Sequence, residues 1–159
     1  MFSKKILPLK ELSQQISRWR LKSNTIVFTN GCFDLLHAGH LHTLQEAKKM
    51  GDKLVVGVNA SSSIQKLKGS NRPIQSEEDR SNMLAALQIV DAVIIFEEDT
   101  PLKIIEEITP DVLVKGGDWK IENIVGANHV LNNGGIVKSI PLLEGYSTTD
   151  LIKKIKEKG

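Results

Sequence analysis

The residues best suited to chemistry lie between Thr29 and His40, TNGCFDLLHAGH, where His37 and His40 stand three positions apart at the start of a predicted helix. Residues three apart on a helix share a face, so two imidazoles can donate hydrogen bonds to one phosphate. The helix start adds unpaired amides and the positive end of a dipole. Asn30, Gly31, Cys32 and Phe33 lead into it, and Gly31 and Gly39 lack the Cβ that would keep a phosphate off the backbone. A plainer alternative makes the two histidines polar residues at a helix cap. The strand before them, the glycines and the helix after them favour the phosphate site. His42 and His129 have no such setting and read as surface histidines.

Two other segments end at the same kind of place. Lys115, Gly116, Gly117, Asp118 and Trp119 follow a predicted strand, so they fall on the edge of a parallel sheet where ligands bind. A glycine turn beside a buried Trp is the alternative reading. Ser147, Thr148 and Thr149 open a helix whose apolar positions include Leu151, Ile152 and Ile155, which sets hydroxyls beside free amides. A simple N-cap explains Ser147 equally well.

Such groups must be positioned by a rigid scaffold. Apolar runs at Thr25 to Thr29, Lys53 to Asn59, Ala92 to Phe96, Val112 to Lys115 and Ile136 to Ile140 read as strands buried on both faces. Between them, Gly39 to Met50, Glu77 to Ile89 and Pro101 to Ile108 repeat apolar residues at helical spacing. This alternation predicts an α/β, Rossmann-like domain: a five-stranded parallel sheet with helices on both faces. A further helix over Leu9 to Leu21 sits in an N-terminal extension, residues 1–24, of one domain spanning residues 1–159. Ser76 with Asp79 and Ser147 with Asp150 have capping spacing, and Thr100 precedes Pro101 at a first helical position. Ser61 to Gln75 reads as an irregular, mobile surface loop carrying Lys66, Lys68 and Arg72.

Composition narrows the function. Lys and Arg number 21 against 19 Asp and Glu, and a net charge of +2 gives no field for nucleic acid or an anionic membrane. The single cysteine excludes an internal disulfide framework, and no Cys/His cluster has zinc spacing. Met1 to Pro8 holds no apolar stretch of signal-peptide length, and no stretch in the chain could span a bilayer as a helix. A cytoplasmic protein is expected.

The segment TNGCFDLLHAGH resembles the HxGH signature of the cytidylyltransferase-like nucleotidyltransferase superfamily. The resemblance runs from about Ile26 to Ile155, through VVGVNA at Val55, KLKG at Lys66, RP at Arg72, FEEDTP at Phe96, DVLVKGGDW at Asp111 and EGYSTT at Glu144. The ordered set is most similar to the branch that adenylates D-glycero-β-D-manno-heptose 1-phosphate, a module fused behind a sugar kinase in many bacteria. The likeness implies transfer of AMP from ATP to the sugar phosphate, with magnesium pyrophosphate leaving. It implies that His37 and His40 hold the triphosphate beside the backbone of Cys32 and Phe33. Lys66 and Lys68 match lysines that bind the substrate phosphate and the triphosphate, with Arg72 assisting; a solvated lysine loop is the alternative. Asp34 either organises its loop by hydrogen bonding or faces the metal, and an Asx-type turn former is the plainer reading. Lys115, Gly116 and Asp118 line the base and ribose pocket, and Ser147, Thr148 and Thr149 face the nucleotide phosphates. Mg2+ is expected to travel on the triphosphate, since no carboxylate cluster presents itself. The family is commonly dimeric, and the helix around Arg80 to Leu87 is a candidate homodimer surface.

One departure bears on the base. The glycerol-phosphate branch usually carries RTEGISTT, whereas this chain has LLEGYSTT, with Leu142 in place of the Arg. That favours ATP over CTP. A glycerol 3-phosphate or other polyol-phosphate cytidylyltransferase is the alternative enzyme, and a nucleotide-binding module without turnover is the alternative from another class. A class I aminoacyl-tRNA synthetase fragment is excluded by the short chain, the lack of a KMSKS-like motif and the absence of positive bias.

Overall fold

The computed structural model describes residues 4–159; Met1 to Ser3, part of the predicted N-terminal extension, lie outside the described residues. Strands β1 (Ile26–Gly31), β2 (Lys53–Asn59), β3 (Ala92–Phe96), β4 (Val112–Gly116) and β5 (Ile136–Ile140) form one parallel sheet in the order β3-β2-β1-β4-β5. On one face lie α1 (Leu9–Arg20), α5 (Leu102–Ile108) and α6 (Ala127–Asn132), which bury Leu12, Ile16, Ile105, Ile108 and Val130 against Phe28, Ile94 and Leu113. The other face is covered by α2 (Ala38–Lys48) and α4 (Glu77–Ala86), whose Leu44, Ala47, Leu84 and Ala85 meet Val27, Val56, Val58 and Val114. A strand covered on both sides has to be apolar along its whole length, which is why continuous Val and Ile runs mark β1 to β4. At β5 the expectation of two buried faces fails. Ile136 there is 53% exposed and Lys138 is exposed, while Ile140 at the other end of the same side is buried.

Strand order runs outward from β1 to β3 and then returns to β4 on the other side of β1. This reversal opens a crevice at the carboxyl ends of β1 and β4, the position at which open parallel sheets bind ligands. Register places Thr29 opposite Val114, so Asn30 and Gly31 leave the sheet beside Lys115 and Gly116.

The stretch predicted as an irregular loop is helical in its first half. Helix α3 (Ser61–Lys68) forms because Ser63 and Ile64 are fully buried, and it stops at Gly69, whose φ of +92° ends the helical path. Helix α4 is shorter than its apolar pattern suggested, since Leu87 is already extended. Its Arg80, Leu84 and Ala85 are at most 3% exposed, so those residues of the expected dimer surface face the core, and Met83, 50% exposed, is its outward large apolar residue. Ser76 and Ser147 cap their helices by accepting from the backbone N–H of Asp79 and Asp150. Pro101 is itself the cap of α5, one residue later than expected. The short turn Ile121–Asn123 and α6 were not anticipated.

The N-terminal segment is joined to the sheet. Leu7 N donates to Val93 O and Val93 N to Lys5 O, a short parallel bridge along β3, and Leu12 and Ile16 are 0% and 2% exposed in the core. Replacing Leu12 by Ala should cost about 2–5 kcal/mol in urea unfolding, the usual range for a core leucine. A loss within about 0.5 kcal/mol, as at a surface position, would mark α1 as a detachable appendage.

Candidate active site

The loop from Cys32 to Leu36 carries the chain from β1 into α2, and it is held from several directions. Arg80, 0% exposed, donates from Nη1 to Cys32 O at 2.7 Å and Asn59 O at 2.8 Å, and from Nε to Gln75 O at 3.2 Å. The carboxylate of Asp34, 2% exposed, accepts from Arg72 Nε at 3.1 Å, Ile74 N at 2.8 Å and Gln75 N at 3.0 Å. Gln75 Oε1 accepts from Leu35 N, and the Thr148 hydroxyl donates to Asp34 O at 2.9 Å. Phe33 and Leu35 have φ of +50° and +52°. That left-handed backbone costs a residue with a side chain roughly 1–2 kcal/mol, and it persists where the surroundings over-determine it. Asp34 and Arg72 are thus committed to each other and to the loop's shape.

His37 is the N-cap of α2. Its Nδ1 accepts from Gly39 N at 3.1 Å, which assigns the proton of the neutral ring to Nε2, 3.5 Å from Thr148 Oγ1. A Cβ at Gly39 would come within 3.0 Å of His37 Nδ1 and 3.1 Å of Tyr146 Cβ. The glycine therefore makes room for the ring of His37, a closer cause than the phosphate approach read from the sequence. The rings of His37 and His40 stack with centroids 3.9 Å apart and planes 26° from parallel, and Phe33 closes on His40 at 5.4 Å. His40 Nδ1 is buried and has no hydrogen-bond partner. Burial lowers the pKa of His40 to about 4; the neighbouring charges of His37 and Lys68 act in the same direction and Asp34 opposes them. Burial lowers His37 as well. Both rings are neutral N–H donors at pH 7.

Around them the predicted groups divide. Lys66 and Lys68 are both exposed and line neither depression described below; of the two, it is Lys68 whose charge is felt at His40. Lys115, half-buried with its pKa lowered by that burial, lies with His40, Thr29, Phe33, Gly116 and Leu142 around a depression of about 200 Å³. A second depression of about 190 Å³ shares His40, Thr43 and Leu142 and reaches His37, Ser147 and Thr148. Ser147 Oγ is occupied as a cap and by Asp150, and Thr148 braces the loop. Asp118 and Thr149 are exposed and line neither depression. Among the described residues, no three His, Cys, Asp or Glu side chains converge as a metal site would require. Arg80 was missed as a positioning residue, and the one available signal was an arginine placed among apolar positions of a helix.

An all-parallel sheet with a helix start, two stacked imidazoles and the ammonium group of Lys115 at its strand reversal defines a Rossmann-like α/β protein. Residues 28–154 match the cytidylyltransferase-like family, and the chain belongs to that family. It is 51% identical over 150 residues to the bifunctional protein HldE of Koribacter versatilis, a match covering 94% of this chain and 31% of that protein. The chain thus spans about a third of the length of the curated relatives it matches. The crystal structure of the lipopolysaccharide core biosynthesis protein from Thermoplasma volcanium is similar with a TM-score of 0.61 and 31% identity, over 78% of this chain and 99% of that one. Pantoate-beta-alanine ligase from Francisella tularensis aligns with a TM-score of 0.61 at 14% identity, over 95% of this chain and 76% of that one, which shows the shared fold.

The unfolded chain takes up a proton at an ordinary imidazole near pH 6.5, while folded His40 waits until about pH 4. His40 therefore makes the fold less stable as pH falls through that window. In nitrogen-detected NMR titrations its ring should titrate near pH 4 in the free protein. Added ATP should move the midpoint upward, because a polyanion favours the imidazolium. A midpoint unmoved by ATP would place the phosphates elsewhere.

Proposed function

We propose that the chain is an adenylyltransferase that moves AMP from ATP to D-glycero-β-D-manno-heptose 1-phosphate, releasing pyrophosphate in the cytoplasm. The observation that carries this reading is the convergence of the stacked His37 and His40 with Lys68, Lys115 and the Thr148 turn at the carboxyl ends of β1 and β4. Both reactants are anions. A phosphate oxygen of the sugar attacks the α-phosphorus, a new P–O–P bridge forms, and the bond to the β-phosphate oxygen breaks as pyrophosphate departs. No protein nucleophile is required, so the work is positioning and charge neutralisation. His37 and His40 present N–H groups to the oxygens whose charge grows, and the ammonium groups of Lys68 and Lys115 offset it. The loop between β1 and α2 is held in place by the Arg80 and Asp34 bonds, and Thr148 bonds to it at Asp34 O.

Mg2+ is expected to enter with the triphosphate, where it neutralises the departing pyrophosphate. The donor set fits that arrangement: Asp34 is the carboxylate next to the site, and Arg72 and two amides already occupy it. Support for ATP over CTP comes from Leu142, which with Leu143 and Tyr146 gives the depression beside His40 an apolar wall where the cytidine branch carries an arginine. The sugar rests on the ordered motifs from Ile26 to Ile155, and the likeness to the lipopolysaccharide core biosynthesis protein of Thermoplasma volcanium supports it.

The test is pyrophosphate release with ATP and CTP over a panel of heptose, hexose and polyol phosphates. Heptose 1-phosphate with ATP should be the fastest pair. Substituting His40 by Ala should lower turnover by about 10² to 10³, as loss of a preorganised donor does, with the thermal unfolding transition retained. Wild-type turnover in the purified variant would remove the central assignment, and preference for CTP with a polyol phosphate would move the chain to the other branch.

A further inference from the structure

The start of helix α3 is not capped by its own sequence. The residue before it is Ala60, which has no side-chain acceptor, so the first amide, that of Ser61, has no partner within the helix. The partner comes from another element. Glu77, the first residue of α4, accepts from Ser61 N through Oε2 at 2.6 Å, a charge-assisted bond. Its carboxylate thus stands at the positive ends of two helices, and it also helps to balance the buried charge of Arg80. Arg80 itself directs Nη2 toward Ser61 Oγ at 3.4 Å, while its Nη1 donates to Cys32 O at 2.7 Å and Asn59 O at 2.8 Å. The first residue of α3 is therefore tied to the same pair of α4 side chains that face the histidine loop.

The fixed points of α3 all fall in its first half. Ser63 and Ile64 are 0% exposed, and Ser63 Oγ accepts from Asn59 Nδ2 at 3.4 Å and donates to Glu98 O at 3.5 Å. Beyond them Gln65, Lys66, Leu67 and Lys68 are exposed, and the helix ends at Gly69, where an added Cβ would meet nothing within 4 Å. The direction of the exposed half is set by how the first half is held. At about 1.5 Å per residue Ser61 and Lys68 lie about 10 Å apart along the axis, so a pivot of about 10° at the start moves the lysine end by about 2 Å. Lys68 is where that movement matters, because its charge acts on His40. Glu77 and Ser61 line neither depression around the histidines, so any effect they have there passes through α3.

We propose that Glu77 is a positioning residue: its carboxylate holds the start of α3, and through that helix it keeps Lys68 within reach of the histidine pair. The kinetic consequence rests on the reading of the chain as an adenylyltransferase, whereas the placement of Lys68 can be measured without substrate.

Glu77→Ala removes the clamp, and Glu77→Gln keeps an acceptor for Ser61 N. In the ligand-free protein the nitrogen-detected titration of His40 reports where Lys68 stands, because a nearby ammonium holds the imidazole toward neutrality. His37 and Asp34, the other charges that act on His40, are untouched by these changes. Lys68→Ala should raise the midpoint, Glu77→Ala should raise it by a comparable amount, and Glu77→Gln should leave it at the wild-type value. The direction is diagnostic, since removing a carboxylate that acted on His40 directly would lower the midpoint. A midpoint that stays or falls in Glu77→Ala, or that stays in Lys68→Ala, overturns the proposal. This arm holds even where no pyrophosphate is released and the proposed reaction fails.

In pyrophosphate release, Glu77→Ala should lower kcat about 10- to 100-fold, the scale of a misplacement of about 1 Å at an aligned site, with Glu77→Gln within threefold of wild type. The double variant Glu77→Ala with Lys68→Ala should be no slower than Lys68→Ala alone, because a residue that acts through another has nothing left to act on. Losses that multiply in the double variant would show Glu77 working independently of Lys68. Proline suits a first helical position and has no N–H, so Ser61→Pro removes the same bond from the other side. It should reproduce Glu77→Ala in both measurements, and it decides the matter where Glu77→Ala fails to fold; wild-type behaviour in Ser61→Pro rules the clamp out.

Discussion

A guanidinium that cannot reach water has to find acceptors, and that requirement fixes the loop on which the site is built. Arg80 lies wholly inside the protein and finds the carbonyls of Cys32, Asn59 and Gln75, three peptides from three separate connections. The arginine thereby ties the end of β1 to the end of β2 and to the turn before α4. Asp34 performs the complementary task from the other side, gathering donors from Arg72, Ile74 and Gln75. Opposite charges thus pull the same loop from two directions. The left-handed backbone at Phe33 and Leu35 is tolerable only because both are satisfied.

The electrostatics of the site follow from burial. His40 is withdrawn from water, and that, more than the neighbouring His37 and Lys68, keeps it neutral well below physiological pH. Lys115 is likewise partly withdrawn from water, and burial weakens its hold on its proton. Donors that need no reorganisation when charge arrives are what phosphoryl transfer asks of a protein.

Much of this was legible in the residues. Continuous Val and Ile runs announced β1 to β4 because a doubly covered strand has no polar face, and HAGH marked a helix start that the structure caps with His37. What escaped did so for physical reasons. Ser61 to Lys68 has few apolar residues and ends in glycine, so its helix, which depends on burying Ser63 and Ile64, reads as a loop. Arg80 follows Glu77, Glu78 and Asp79, a charged run that looks solvated, and only the tertiary fold turns it inward. Gly39 was singled out for a phosphate's approach, and the structure adds a nearer reason for it, since a side chain there would meet the ring of His37.

The bridge between Leu7 and Val93 has an effect on assembly. By laying backbone along β3, the N-terminal segment occupies hydrogen-bonding groups that another chain could otherwise recruit. The opposite border, β5, points the exposed side chain of Lys138 outward, and a bare ammonium discourages a second sheet from docking there. Both borders of the sheet thus carry a feature that disfavours strand addition.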